Sequence, residues 1–374
     1  MAQLFLLYDS ITNSAFYSQV FTPIIQECNT NPSQSFFLIS FEKDLLKSQK
    51  MIKRFKELPQ NLTVILKERL PFWGNWTLNF SAKILANFME TTPIEKIVCR
   101  GVFAARIAEL ALEINYEQAL LQNKIWLKTT PAKLTTDQVE VLIPGLASAE
   151  VLLGNDKENL FWKQLIKLKS MLFSMLTWSL ESHVFSKDFC SKIPNLKTSF
   201  VMSSQALKEY ICEEMSLPKD KATVLRDPNF DLEISINEKL ETRQEIRSEL
   251  NIDFFAPVYV YSGSLKSWQG FELTLAKFSE ILTREKNAVL LVLTNDLIAA
   301  KNILEQSLPS ESYRLRSLPP EKVLTHLLAC DFGMLFREPN LVNWTARPIK
   351  ALEYKQAGLL VMHNHTVEWV IKNC

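Results

Sequence analysis

Two hydrophobic periods alternate along the chain. Short apolar runs bounded by Gly, Pro, Asn, Asp or Ser are followed by longer stretches whose apolar positions recur every three or four residues. That pattern predicts strands buried on both faces, separated by amphipathic helices. In the first part of the chain, strands are predicted at Gln3–Tyr8, Ser35–Ser40, Leu62–Lys67, Lys96–Cys99, Lys124–Lys128, Val139–Ile143, Thr198–Met202 and Thr223–Leu225. An amphipathic stretch leads to Cys28, and helices are predicted at Leu45–Leu58, Gly101–Asn115, Tyr116–Gln122 and Gln205–Met215. A long helical stretch within 156–190 interrupts the rhythm. Asp227–Lys239 is polar and irregular and reads as a linker, and Leu240–Leu250 opens the second part as a charged helix. From there the alternation is cleaner. Strands are predicted at Val258–Ser262, Ala288–Thr294, Tyr313–Ser317, Phe332–Phe336 and Leu359–His363. The helices between them are Phe271–Arg284, Leu297–Leu308, Pro320–Ala329 and Pro348–Ala357, the last closed by Gly358.

This alternation implies an α/β fold of parallel sheets covered by helices. Two doubly wound units in series are expected: residues 1–226, a linker at 227–239, and residues 240–374. The chain length of 374 residues suits two domains. Composition narrows the class. The formal net charge of +1 gives no reason to expect nucleic acid as a partner. The six cysteines have no metal-ligand spacing and suggest a reducing compartment. The N-terminus lacks the basic and apolar regions of a signal peptide, and no apolar run approaches the ~20 residues of a spanning helix. A cytoplasmic protein, peripheral at most to the inner face of a membrane, is expected. Only eight glycines are present, so each is expected where a side chain would be costly.

In open parallel sheets, ligands bind beyond the carboxyl ends of the strands. Two loops stand out there. The first, Tyr261 to Gly270, follows a strand and precedes a helix. Gly263 and Ser264 allow close approach of an anion, and Lys266 adds a positive charge. The same residues also suit a tight turn with a solvated lysine. The second runs from Phe336 to Tyr354. Arg337 lies just past a strand, and Lys350 and Glu353 share one face of a helix. There a carboxylate suits a ribose diol, and the cations suit a diphosphate.

The ordered set YSGSLKSWQGFE, DFGMLFRE and RPIKALEYKQAGLLVM resembles glycosyltransferase family 4, the group 1 glycosyltransferases. So do Asn13-Ser14 with Ser18-Gln19-Val20, the run ISFEK at 39–43, and TSFVMSSQALKEY at 198–210. The resemblance implies a GT-B architecture, with two Rossmann-like parallel-sheet domains facing a central cleft. It implies a retaining hexosyltransferase of polysaccharide biosynthesis. The sugar would move from a nucleotide-diphosphate donor to a glycan or lipid-linked acceptor, with no cofactor and no obligatory metal. Gly263, Ser264, Lys266, Arg337, Lys350 and Glu353 would bind the donor, with Glu353 on the ribose. Asn13, Ser18 and Gln19 would lie on the acceptor side. The family's first paired glutamate falls at Thr345, and the arginine often found after the loop glycine is Ser264. The chain also ends earlier than the family's usual closing helices, which suggests either a truncated C-terminus or a reduced fold. These departures keep two other readings open: a scaffold that binds nucleotide sugar or a partner without turnover, and a nucleotide-sugar epimerase. The Lys/aromatic stretch 162–178 reads either as a membrane-surface helix or as a core helix with one wet face, and 67–76 is a second basic, aromatic segment where a bilayer would be met if the acceptor is lipid-linked. His363 and His365 read as a surface turn rather than a metal site, and His183 as an ordinary helix residue.

Overall fold

The computed structural model describes residues 2–8, 11–12, 16, 20–53, 58–71, 75–125, 138–143, 172, 174–226 and 235–374. The described residues form two compact units, one ending at Leu225 and the other running from Arg226 to Cys374.

The first unit holds a seven-stranded parallel sheet in the order β3-β2-β1-β4-β5-β6-β7. The strands are β1 (Ala2–Leu7), β2 (Ser35–Glu42), β3 (Leu62–Glu68), β4 (Lys96–Arg100), β5 (Gln138–Ile143), β6 (Lys197–Met202) and β7 (Ala222–Val224). β1 shows why its sequence is apolar throughout. Leu4 and Leu6 point into one core cluster, Phe5 and Leu7 into the other, so both faces are covered. At the end of β2, the buried Glu42 carboxylate accepts hydrogen bonds from Ser40 Oγ, Ser48 Oγ (2.7 Å) and the Ile11 N–H (3.1 Å). The ISFEK run therefore holds Ile11, just past β1.

Two predictions for this unit need correction, and one helix was not predicted. Helix Asn75–Thr91 was not foreseen, because Trp76 and Phe80 are exposed and blur its apolar stripe. Gly101–Asn115 and Tyr116–Gln122 are one helix, Gly101–Ile125, which takes in the start of the strand expected at Lys124–Lys128. The helix predicted to Leu58 is assigned over Leu45–Ile52.

The second unit holds a five-stranded parallel sheet in the order β10-β9-β8-β11-β12. Its strands are β8 (Val258–Ser262), β9 (Val289–Leu293), β10 (Tyr313–Arg316), β11 (Phe332–Leu335) and β12 (Leu360–His363). The two-face alternation recurs: Val258 and Val260 enter one cluster, Tyr259 and Tyr261 the other. The opening helix spans Ile236–Glu249 and so begins inside the predicted linker. Its start is readable as a Ser-x-x-Glu cap, with Ser235 Oγ accepting from the Glu238 N–H at 3.2 Å. That helix is tied to the starts of β8 and β11 by Asp331, which pairs with Arg243 at 2.6 Å and Arg247 at 2.9 Å. Asp331 also accepts from the Val258 N–H at 2.9 Å. Helix Ile349–Gln356 ends at Gly358 (φ 72°), where the Leu359 N–H reaches the Tyr354 carbonyl at 2.9 Å, a left-handed cap that favours glycine.

The strand order reverses between β8 and β11. The loops leaving these two neighbours therefore come side by side at the carboxyl edge, where open α/β sheets bind ligands.

Candidate functional site

The first loop, after β8, is fixed by its own hydrogen bonds. The Gly263 N–H is donated to the Leu293 carbonyl at 2.8 Å. Tyr261 Oη donates to the Ser264 carbonyl at 2.7 Å, and the Leu265 N–H to Asp296 Oδ2 at 3.0 Å. The N–H groups of Ser264 and Lys266 make no hydrogen bond among the described residues. A short 3-10 turn, Ser267–Gln269, follows before helix Phe271–Arg284. Gly270 sits at φ 66°, and a side chain there would run into the Phe336 carbonyl. This close approach seats the start of the helix against the end of β11.

The structure gives a second reason for a glycine at 263. A side chain at this position (φ 145°) would occupy the place of the Lys350 ammonium. The glycine makes room for Lys350, whose Nζ lies 4.6 Å from the Tyr261 ring centroid. Lys350 forms no hydrogen bond or ion pair among the described residues. Burial pushes its pKa well down, the neighbouring Arg337 charge lowers it further, and Glu353 opposes both. Glu353, one turn along on Ile349–Gln356, is shifted up by burial, with Lys350 opposing. For both half-buried groups, desolvation outweighs their mutual attraction.

Arg337 is 5% exposed. Its Nη1 reaches only the Trp268 carbonyl at 3.4 Å and Asn343 Oδ1 at 3.3 Å, both long for a guanidinium. No carboxylate pairs with it among the described residues, and burial pushes its pKa down. Its backbone is clamped from β12: Asn364 accepts from its N–H at 3.2 Å, and Asn364 and Thr366 donate to its carbonyl at 2.7 and 3.2 Å. Arg337, Lys350, Glu353 and Gly263 thus converge beyond β8 and β11. Lys266 is exposed, with Nζ 4.8 Å from the Trp268 ring centroid. Glu338 is exposed, and its carbonyl accepts from Asn343. Thr345 is 1% exposed and donates its hydroxyl to the Leu341 carbonyl at 2.8 Å, so no carboxylate stands at that position.

Several contributors were not singled out from sequence. Tyr261 forms the platform under Lys350, and Asn343 cross-links Trp268, Glu338 and Arg337. Gln269 Oε1 is buried without a partner, near the niche above Gly263. Only the position of Gln269 beside a loop glycine hinted at it. Asn13, Ser18 and Gln19 lie outside the described residues. Of the histidines, His183 is a helix residue whose ring meets Glu109 at 2.8 Å, and His363 and His365 pack edge to face. No cluster of three or more metal-ligand side chains occurs among the described residues. Among them, no helix is long and apolar enough to cross a membrane.

No protein-family pattern matches the sequence, and no curated protein matches it. Solved structures do. A glycosyltransferase from Rickettsia africae aligns with a TM-score of 0.64 at 13% identity, covering 100% of this chain and 81% of that one. WaaG, a glycosyltransferase involved in lipopolysaccharide biosynthesis, aligns at 0.61 and 13%, covering 100% and 83%. Sucrose-phosphate synthase from Thermosynechococcus elongatus aligns at 0.61 and 10%, covering 98% and 82%. At these identities the likeness is one of fold: two Rossmann-like α/β units of GT-B type.

Proposed function

We propose that this chain is a glycosyltransferase whose second unit holds the diphosphate of a nucleotide sugar on Arg337 and Lys350. The supporting observation is two cationic side chains with no hydrogen-bonded carboxylate among the described residues, the buried Arg337 and the half-buried Lys350 in the niche at Gly263, both beyond the switch-point strands. A cation kept dry and unpaired is costly, and a bound phosphate oxygen offsets that cost. The free N–H groups of Ser264 and Lys266, with the exposed Lys266 ammonium, supply further donors. Glu353 accepts hydrogen bonds from the ribose diol. The same cations then stabilise charge as it builds on the departing diphosphate, which is electrostatic catalysis by groups already in place. Retention of configuration, independence from metal, and a glycan or lipid-linked acceptor meeting Asn13, Ser18 and Gln19 complete the proposal. Residues 1–226 would then serve the acceptor and 240–374 the donor.

The buried Thr345 favours one rival, a protein that binds nucleotide sugar without transferring it. Calorimetric titration with UDP- and GDP-sugars, alongside Lys350→Ala, tests the binding step, and release of nucleoside diphosphate tests turnover. Full donor affinity in Lys350→Ala would remove the assignment. Binding without release would select the rival.

For a lipid-linked acceptor, the contact with the bilayer would involve Trp76 and Phe80 on Asn75–Thr91, with Met175 and Trp178 on the helix at 174–184. All four are exposed large apolar side chains on the first unit. Co-flotation with anionic vesicles reports on this directly, and equal flotation of Trp76→Ser/Trp178→Ser would remove it.

A further inference from the structure

The Lys350 amine is placed unlike other lysines of the second unit. Lys239 donates to the Ala357 carbonyl at 2.9 Å, Lys355 to the Asn373 carbonyl at 2.8 Å, and Lys277 pairs with Glu280 at 2.7 Å. Each of those contacts favours the ammonium form. Lys350 Nζ instead fills the niche left by the missing side chain of Gly263 and makes no hydrogen bond or ion pair among the described residues. The charged and titratable groups that face it are Arg337 from the loop after β11, Tyr261 from β8 and Glu353 on its own helix. Burial and the Arg337 charge push Nζ toward the free amine, with Glu353 opposing. An amine drawn out of water beside a second cation is a nucleophile toward carbonyl carbon.

Two further features fit that chemistry. Lys350 is half-buried rather than enclosed, so a small reagent reaches it. Donors for an anion stand next to it: the buried Arg337 guanidinium and the unbonded N–H groups of Ser264 and Lys266, just past Gly263. Gln269 Oε1, buried without a partner 3.8 Å from the same Gly263 position, is an acceptor for a hydroxyl formed at Nζ.

We propose that Lys350 is a covalent site for an aldehyde that carries a phosphate group. Nζ adds to the carbonyl carbon as one amine proton moves to the carbonyl oxygen. The second amine proton leaves with that oxygen as water, and a C=N bond forms. One amine and one aldehyde thus give one imine and one water, with no oxidant, reductant or net proton, and hydrolysis reverses the step. The phosphate rests on Arg337 and the loop N–H groups, so the adduct and a nucleotide diphosphate exclude each other. The reactivity of the amine is independent of the glycosyltransferase reading; the phosphate preference and the block of the donor rest on that reading's anion site.

Pyridoxal 5′-phosphate on the full chain tests this, with pyridoxal as the phosphate-free control. Borohydride fixes each imine as a secondary amine, and peptide mass spectrometry locates it. At pH 7, Lys350 is expected to be labelled about tenfold faster than the exposed Lys286 and Lys322. Pyridoxal should label it about tenfold more slowly, and UDP or GDP should protect it. Labelling of an ordinary lysine falls roughly 100-fold between pH 9 and 7, because its free amine does; that of Lys350 should fall far less. Labelling spread evenly over exposed lysines, an equal fall with pH, or equal labelling by pyridoxal would each overturn the inference. These readouts need no variant. As a check, Lys350→Met should lose the imine absorbance band, and Lys350→Arg, which keeps the charge, should lose it too. Unlabelled Lys350 alongside intact UDP or GDP binding would remove the covalent site and leave the donor site. Selective labelling with no binding of UDP or GDP would keep the covalent site and remove the donor assignment.

Discussion

Replacing Arg337 by methionine is expected to have unlike effects on stability and on binding. The side chain is almost fully buried, has no carboxylate partner, and makes only two long hydrogen bonds. Exchanging buried charge for apolar volume is often neutral or stabilising, by about 1–4 kcal/mol. Against this, Asn343 Oδ1 loses its donor, a cost of about 1–3 kcal/mol for an unsatisfied buried acceptor. The Trp268 carbonyl keeps the Asn343 Nδ2 donor at 3.0 Å and adds little. These terms nearly cancel, so Arg337→Met should unfold within about 1 kcal/mol of the parent chain in chemical denaturation. Binding has no such compensation. One charge-assisted hydrogen bond to phosphate is worth about 1.5–3 kcal/mol, a loss of roughly 10- to 100-fold in Kd. The assay pairs a urea unfolding curve with calorimetric titration of UDP, GDP and their sugars. An arginine kept for the fold would give the reverse pattern, a destabilisation of about 3–5 kcal/mol with affinity untouched, and that pattern would refute the reasoning.

The remaining predictions concern Lys350 and Asp331. Burial depresses the Lys350 pKa, while a bound diphosphate favours the charged ammonium and raises it. Between the free and bound values, binding takes up a proton, so donor affinity should fall as pH rises through that window. Titrations in buffers of different ionisation enthalpy should show this uptake, and it should vanish in Lys350→Ala. Asp331→Asn removes the carboxylate shared by Arg243, the 1% exposed Arg247 and the Val258 N–H. It should cost about 3–5 kcal/mol, because a buried guanidinium loses its counter-charge. It should leave the Kd of the folded protein unchanged, because Asp331 lies at the opposite strand ends from Gly263 and Arg337. Denaturation midpoints and donor titrations check both parts.

The sequence determined the periodic part of this protein. Strands buried on both faces must be apolar throughout, and helices between them must carry one apolar stripe, so the five strands of the second unit and the helices between them were readable, whereas the short helices Leu341–Trp344 and Glu368–Asn373 were not. Val258–Ser262 and Phe271–Arg284 match the predicted bounds. The candidate loops were readable too, because ligands gather at strand ends and those ends were already located. Where a helix breaks its stripe, as Asn75–Thr91 does with exposed Trp76 and Phe80, periodicity carried too little contrast. Only the tertiary structure decided how the candidate residues are arranged. That Gly263 makes room for the Lys350 ammonium over Tyr261, and that Arg337 is dry and has no acid partner, are both relations between distant segments. Charge pairing and desolvation depend on three-dimensional neighbours, which a linear pattern of apolar and polar positions does not contain.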